Sequence, residues 1–161
     1  MKKKVLSALV MATVAICSYA QGYAGTTFND RIGHGQDSLD VINQFSLYRE
    51  EFKNKNYEEA YNCWKVVMEK APLSQIRIYQ DGDIICQELL KKETDAAKKQ
   101  EIFNTMMDMH DTRIKLLDDL NSFATKLTTT TKGNILCRKA YDYFYYNPKP
   151  NYEEAYKLFQ E

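Results

Sequence analysis

Proline and glycine are scarce in this 161-residue chain, three and six residues respectively, which excludes collagen-like and proline-rich linker classes. Charge of one sign is not in excess. The 22 Lys and Arg residues are matched by 22 Asp and Glu, which argues against a nucleic-acid binder, whose affinity comes largely from cationic contacts to phosphate. Histidine occurs twice, and the four cysteines include no C-x-x-C, so the ligand sets of ordinary metal sites are missing. There is no P-loop, no G-x-G-x-x-G and no G-x-S-x-G. What is present is 44% apolar and 27% charged residues, enough for a core and for one ordinary domain.

The first twenty residues read as an address. Lys2, Lys3 and Lys4 form a positive start, and Val5 to Cys17 is apolar except for Ser7 and Thr13. That run is shorter than the roughly 20 apolar residues a membrane span needs. Ser18-Tyr19-Ala20 supplies a small-x-small cleavage pattern, so residues 1–20 are predicted to be a signal peptide and Gln21 the new N-terminus. Ile16 stands where a lipoprotein signal wants a small residue, so lipidation at Cys17 is discounted. Removal leaves 19 basic against 22 acidic residues, a net charge of −3, which disfavours nucleic acid and anionic membrane again. The sequence thus predicts an exported chain with no integral membrane span after processing: periplasmic, outer-membrane-associated or secreted. Cys63, Cys86 and Cys137 remain, far apart in sequence. They are read as small buried hydrophobes, with one disulfide an open possibility among them.

The rest reads as helices. Residues 21–37, with four glycines and little apolar content, are predicted to be a flexible leader. Asp37 or Ser38 can cap a first helix that runs through Phe45 to Phe52. Tyr57, Ala60, Tyr61, Trp64, Val67, Met68 and Ala71 then form one apolar stripe at helical spacing, with Asn56 as N-cap, Glu59 as capping-box partner and Pro72 as the stop. A third helix capped by Ser74 carries Gly82 in its interior, where glycine usually marks the close approach of a neighbour. A fourth begins at Thr94 or Asp95. Residues 118–132, with the run Thr128 to Thr131, are predicted to be an irregular loop with a short helical piece around 122–127. A fifth helix over 134–146 and a sixth from Asn151 flank the punctuation of Pro148 and Pro150.

One hexapeptide occurs twice. Asn56-Tyr57-Glu58-Glu59-Ala60-Tyr61 returns as Asn151-Tyr152-Glu153-Glu154-Ala155-Tyr156, each copy opening a helix after a polar turn. The first continues to Trp64 and Pro72, the second to Phe159. An alanine, an aromatic four residues later and a proline after the helix resemble the second helix of a tetratricopeptide repeat. The stretch from Ser46 to Tyr57 is similar to exported tetratricopeptide proteins of Gram-negative bacteria. The copies stand 95 residues apart, so units between them exceed the usual period of about 34 and the array is irregular. The resemblance implies an all-α fold over 38–161, a tetratricopeptide-like solenoid of stacked antiparallel helix pairs. Tyr57, Ala60, Trp64, Pro72, Tyr152, Ala155 and Phe159 would be its packing signature. It also implies a concave groove for a peptide or helix. The apolar last helix leads to the further expectation of more repeats downstream or a truncated product.

Candidate chemistry is thin. His110 has no second histidine nearby and reads as a surface or satisfied interior residue. Glu58-Glu59 and Glu153-Glu154 point about 100° apart on a helix and cannot face each other across a cleft. They suit the positive end of the helix dipole. Half of the twelve tyrosines fall between Tyr141 and Tyr156. Tyr141, Phe144 and Tyr145 are a candidate binding face for peptide or glycan, against the alternative that they pack between helices. The reading is therefore a non-catalytic protein-interaction scaffold with no cofactor, no metal and no catalytic residue. Two alternatives stand beside it: an exported glycan- or small-ligand-binding accessory protein, and a helical cell-wall-acting enzyme.

Overall fold

The computed structural model describes residues 23–158 and Gln160. The signal-peptide reading of residues 1–20, and Phe159, lie outside the described residues. The described chain contains helices and no strand. They are α1 (Phe28–Arg31), α2 (Gln36–Lys53), α3 (Tyr57–Lys70), α4 (Arg77–Lys92), α5 (Ala96–Lys115), α6 (Leu117–Ser122), α7 (Lys132–Tyr146) and α8 (Tyr152–Leu158). Short connectors force consecutive helices to run back along one another. The packing follows chain order: α2 on α3, α3 on α4, α4 on α5, α5 on α7, and α7 on α8, with α6 a short excursion from the end of α5.

The core forms where the stripe of α3 meets α4 and α5. Trp64, Val67, Ile78, Tyr79, Ile85 and Met106 are completely buried. Trp64 is fixed at both ends: its Nε1–H donates to the Ile78 carbonyl at 2.7 Å, and its ring stacks on Tyr61 with centroids 5.9 Å apart. Gly82 lies directly beneath it. A Cβ built there would stand 2.4 Å from Trp64 Cζ2 and 2.7 Å from Met109 Sδ, so the glycine lets α4 approach α3, as its mid-helix position predicts. Alanine at this site would gain about 1 kcal/mol of helix propensity. It would also force the held indole to move, and overpacking of this kind costs about 1–3 kcal/mol. Gly82→Ala is therefore expected to lower stability by up to about 2 kcal/mol, read as a lower urea midpoint at unchanged slope.

Several local expectations are corrected. Part of the segment read as leader is docked. Arg31 Nε–H donates to the Leu73 carbonyl at 2.9 Å, and an Nη2–H donates to that of Ser74 at 2.9 Å. The same guanidinium lies 3.9 Å over the Phe123 ring, while Ile32 is buried with Val41 and Ala71. Ser74 does not cap a helix. It is buried, its hydroxyl makes no hydrogen bond, and α4 starts three residues later at Arg77. Asn56 does not cap α3 through its side chain either, which donates to Glu51 Oε2 at 2.9 Å. The α2–α3 turn instead closes through the backbone, Lys55 N–H to the Phe52 carbonyl and Asn56 N–H to that of Glu51, with Lys55 in the left-handed region that glycine usually fills. Asp95 and Thr131 do cap α5 and α7, accepting from the amides of Lys98 and Asn134. The helical piece after α5 is Leu117–Ser122, earlier than 122–127. Cys63, Cys86 and Cys137 are all free thiols, but only Cys86 is buried; Cys63 is half-buried and Cys137 exposed.

The two hexapeptide copies share a frame and differ in cover. Each opens a helix packed on the one before it, and Ala60 and Ala155 are both buried. Asn151 caps its copy, accepting from the amides of Glu153 and Glu154 at 3.1 and 3.3 Å. Tyr61 is 6% exposed, with its hydroxyl donating to Thr105 on α5, whereas Tyr156 is 63% exposed. The difference has a simple source: α4 and α5 lie over the first copy, and no described element lies over the second.

Candidate functional site

Two features stand out from the helical frame, one on the surface and one largely buried between helices. The surface feature is aromatic. Their i,i+4 spacing brings Tyr141 and Tyr145 to one face of α7, their ring centroids 4.4 Å apart. Phe144 packs edge-on to Tyr145 at 5.1 Å and reaches Tyr152 of α8 at 5.7 Å. All four rings are exposed, as is Tyr156. The candidate face named from sequence is therefore brought together, and its rings pack on each other without being covered by a neighbouring helix. Tyr143, on the other side of α7, packs on Phe103 and donates its hydroxyl to Glu154 Oε2 at 2.8 Å.

The packing-signature residues are spread through the frame. Ala60, Trp64 and Ala155 are buried, Tyr57 and Pro72 half-buried, and Tyr152 exposed. An open groove of about 500 Å³ runs over Tyr57 and Tyr61. Its lining includes Lys55, Lys92 and Lys98 together with Glu58, Glu93 and Glu101, a balanced set that favours neither sign of ligand.

The buried feature was not assembled from the sequence. His110 of α5 is completely buried, with Nε2 3.0 Å from Asp142 Oδ2 of α7 and 3.3 Å from Asp83 Oδ1 of α4. Arg138, one turn before Asp142, places Nε 3.2 Å from Asp142 Oδ2 and 3.3 Å from Asp83 Oδ2. Gln87 Nε2–H donates to the remaining Asp142 oxygen at 2.8 Å. Burial alone pushes the His110 imidazole down. The carboxylates of Asp142, hydrogen-bonded to the ring, and of Asp83 outweigh it, leaving the group raised above its ordinary value. Burial, reinforced by the two aspartates, pushes the Cys86 thiol up as well, so it stays protonated.

The donor atoms of Asp83, His110 and Asp142 lie within 4.8 Å of one another. That spacing would suit a cation in isolation. Here Arg138 already supplies a cation to both carboxylates, and a divalent ion would have to share them with a guanidinium at contact distance. The set is an ion network balanced by its own side chains, although Arg138 Nε, His110 Nδ1 and Asp83 Oδ1 make no hydrogen bond among the described residues, and its residues are not read as metal ligands.

A similar device joins the first pair to the second. Asp81 of α4 accepts from the Tyr48 hydroxyl at 3.2 Å and pairs with Arg49, both on α2. Asp81 and Asp83 flank Gly82 and point to opposite sides of α4, one toward α2 and one toward α5 and α7.

Comparisons with protein-family models, with curated proteins and with solved structures find no match to this chain.

Proposed function

We propose that this protein is an exported, non-catalytic interaction scaffold built as an irregular tetratricopeptide-like array, which docks a peptide or helix of a protein partner. The carrying observation is the contiguous aromatic face of Tyr141, Phe144, Tyr145 and Tyr152, left exposed on a frame of sequentially paired helices. Aromatic rings give large contact area at small entropic cost and are enriched where interfaces concentrate their energy. The recurrence of a buried alanine at the start of α3 and α8 supports the repeat reading. No helix among the described residues is long and apolar enough to cross a membrane.

The buried cluster also supports a non-catalytic role. Convergent carboxylates beside a histidine are what an enzyme reading would require. Here the ring and Asp142 are fully buried and both carboxylates are contacted by Arg138, with Gln87 also on Asp142, so the groups face each other and not an open cleft. The exposed rings also favour a second reading, an accessory protein that stacks sugar rings on Tyr141 and Tyr145.

The two readings separate in one experiment. The wild-type chain and a Tyr141→Ala/Phe144→Ala/Tyr145→Ala variant are immobilised and offered native envelope proteins and, separately, insoluble cell-wall glycan. The scaffold reading expects one defined protein retained by wild type and lost at least about tenfold by the variant, whose unfolding midpoint is unchanged because the rings are exposed. Retention of glycan alone overturns it in favour of the accessory reading.

A further inference from the structure

We propose that Asp83, His110, Arg138 and Asp142 form a proton-dependent clamp, which sets how firmly the α7–α8 pair is held on α4 and α5. The inference goes beyond the docking reading and stands without it, although α7 also carries the aromatic face.

Three elements meet at the ring. His110 comes from α5, Asp83 from α4, and Asp142 and Arg138 from α7. Other charged or titratable groups beside it are Arg113, Cys86 and Tyr146, the last on α7 and close enough to feel the charges of Asp142 and Arg138. Arg113, three residues along α5, lies over the Tyr79 ring and feels the Asp83 charge. Cys86 on α4 remains a neutral thiol. What changes on protonation is charge and not the number of donors toward the aspartates. Nε2 carries one N–H in either a suitable neutral tautomer or the cation, and Nδ1 has no hydrogen-bond partner among the described residues. Asp83 Oδ1, buried and 3.3 Å from Nε2, also has no partner of hydrogen-bond geometry. Its attachment to α5 is therefore chiefly the attraction of one charge for another, at low local dielectric.

With the ring charged, two cations sit between two carboxylates that belong to different helices. With the ring neutral, Arg138 alone balances them, and its guanidinium is partly exposed and less able to hold both. Histidine is the side chain whose ordinary titration falls in the physiological range. Its direction here is upward. The stabilisation is fully present below the unfolded-state value of about 6.5 and is lost as pH rises through the higher folded-state value. The clamp is tight in mildly acidic solution and loosens in alkaline solution. Asp142 and Arg138 lie on the helix that carries Tyr141 and Tyr145, and Arg138 stands 5.5 Å from the centre of the Tyr141 ring, so the clamp and the face share one rigid element.

The test uses the full chain. The chain has two histidines, and exposed His34 provides an internal comparison for the Cε1 proton resonance of His110. Hydrogen exchange corrected for intrinsic rates is followed by mass spectrometry at about pH 6 and about pH 9. The expected result has two parts. His110 titrates above about 6.5, and exchange in α7 and α8 rises at least about threefold at the higher pH while α2 and α3 hold. In His110→Gln that pH dependence disappears. Titration of His110 at or below its ordinary value overturns the proposal, as does equal exchange of α7 at both pH values, or the same pH dependence in His110→Gln. Should that variant not fold, the two wild-type measurements decide alone.

Discussion

Truncating Trp64 to alanine is expected to remove about 4 kcal/mol of stability, within the range that buried Phe or Trp truncations give. The ring is completely buried, so its loss opens a cavity bounded by α3, α4 and α5. It also leaves the Ile78 carbonyl without the N–H that now reaches it at 2.7 Å, and an unpaired buried acceptor adds about 1–3 kcal/mol. The measurement is a urea titration followed by far-ultraviolet dichroism, since the chain's one tryptophan is the residue removed. A second arm identifies the mechanism. In the Trp64→Ala background the indole no longer blocks a Cβ at Gly82 and only the flexible Met109 thioether must give way, into the space the ring has left, so adding Gly82→Ala should be less harmful and should recover part of the loss. A favourable coupling of at least about 1 kcal/mol is expected for two residues in such contact. If the losses simply add, the indole and the glycine do not share one contact and the account of the α3–α4 packing is wrong.

The same pair shows what could be read from residues alone. The stripe from Tyr57 to Ala71 has a 3.6-residue period that runs without interruption, and a glycine inside the next stripe costs stability unless a neighbour comes close. Both statements are local, and both are met in α3 and α4. The caps depend on which neighbour a side chain finds first. Asp95, named from sequence as a helix start, caps α5, whereas Thr131, read as part of the loop, turns out to cap a helix that begins at Lys132. Asn56 meets Glu51 across a turn that the backbone has already closed, and Ser74 is drawn inside while Arg31 takes its carbonyl. Exposed charge pairs moved in the same way. Asp111 pairs with Lys139 of α7 and not with Lys115 one turn along its own helix. Arg31 could not be assigned from sequence because its partners lie 42 and 43 residues away.

The buried ion network needed tertiary information of the same kind. Its members lie on three helices, with 27 residues separating Asp83 from His110 and 32 separating His110 from Asp142. No spacing rule joins them. A signal was present in each helix taken separately. Asp83 interrupts the apolar run around Ile78, Tyr79, Ile85 and Cys86. His110 follows Met106 and Met109 on the buried face of α5, and Asp142 stands between two tyrosines. Polar residues on an apolar face must find partners when buried. Read together, those three misfits would have nominated one another. The aromatic face was easier, because Tyr141 and Tyr145 share a single helical turn and need no fold to be neighbours.

Replacing Asp142 with alanine is expected to be the most damaging change in the α7–α8 pair, about 3 kcal/mol near pH 6, because breaking a buried ion pair leaves charge uncompensated. Asp142 is fully buried, and its two oxygens serve His110, Arg138 and Gln87 together. Without it the His110 cation keeps Asp83 alone, and Gln87 loses its acceptor. Asp142→Asn keeps the shape and one acceptor oxygen, so it should cost less than alanine while still losing the charge. The pH dependence gives the prediction its sign. The Asp142 attraction for His110 requires a protonated ring, and the folded-state value of that ring is raised. The gap in urea midpoint between wild type and Asp142→Ala should therefore be wide near pH 6 and narrow as pH climbs through the His110 titration. A gap that stays constant over that range would mean that Asp142 acts through Arg138 and Gln87 alone, with His110 a neutral bystander in the packing of α5.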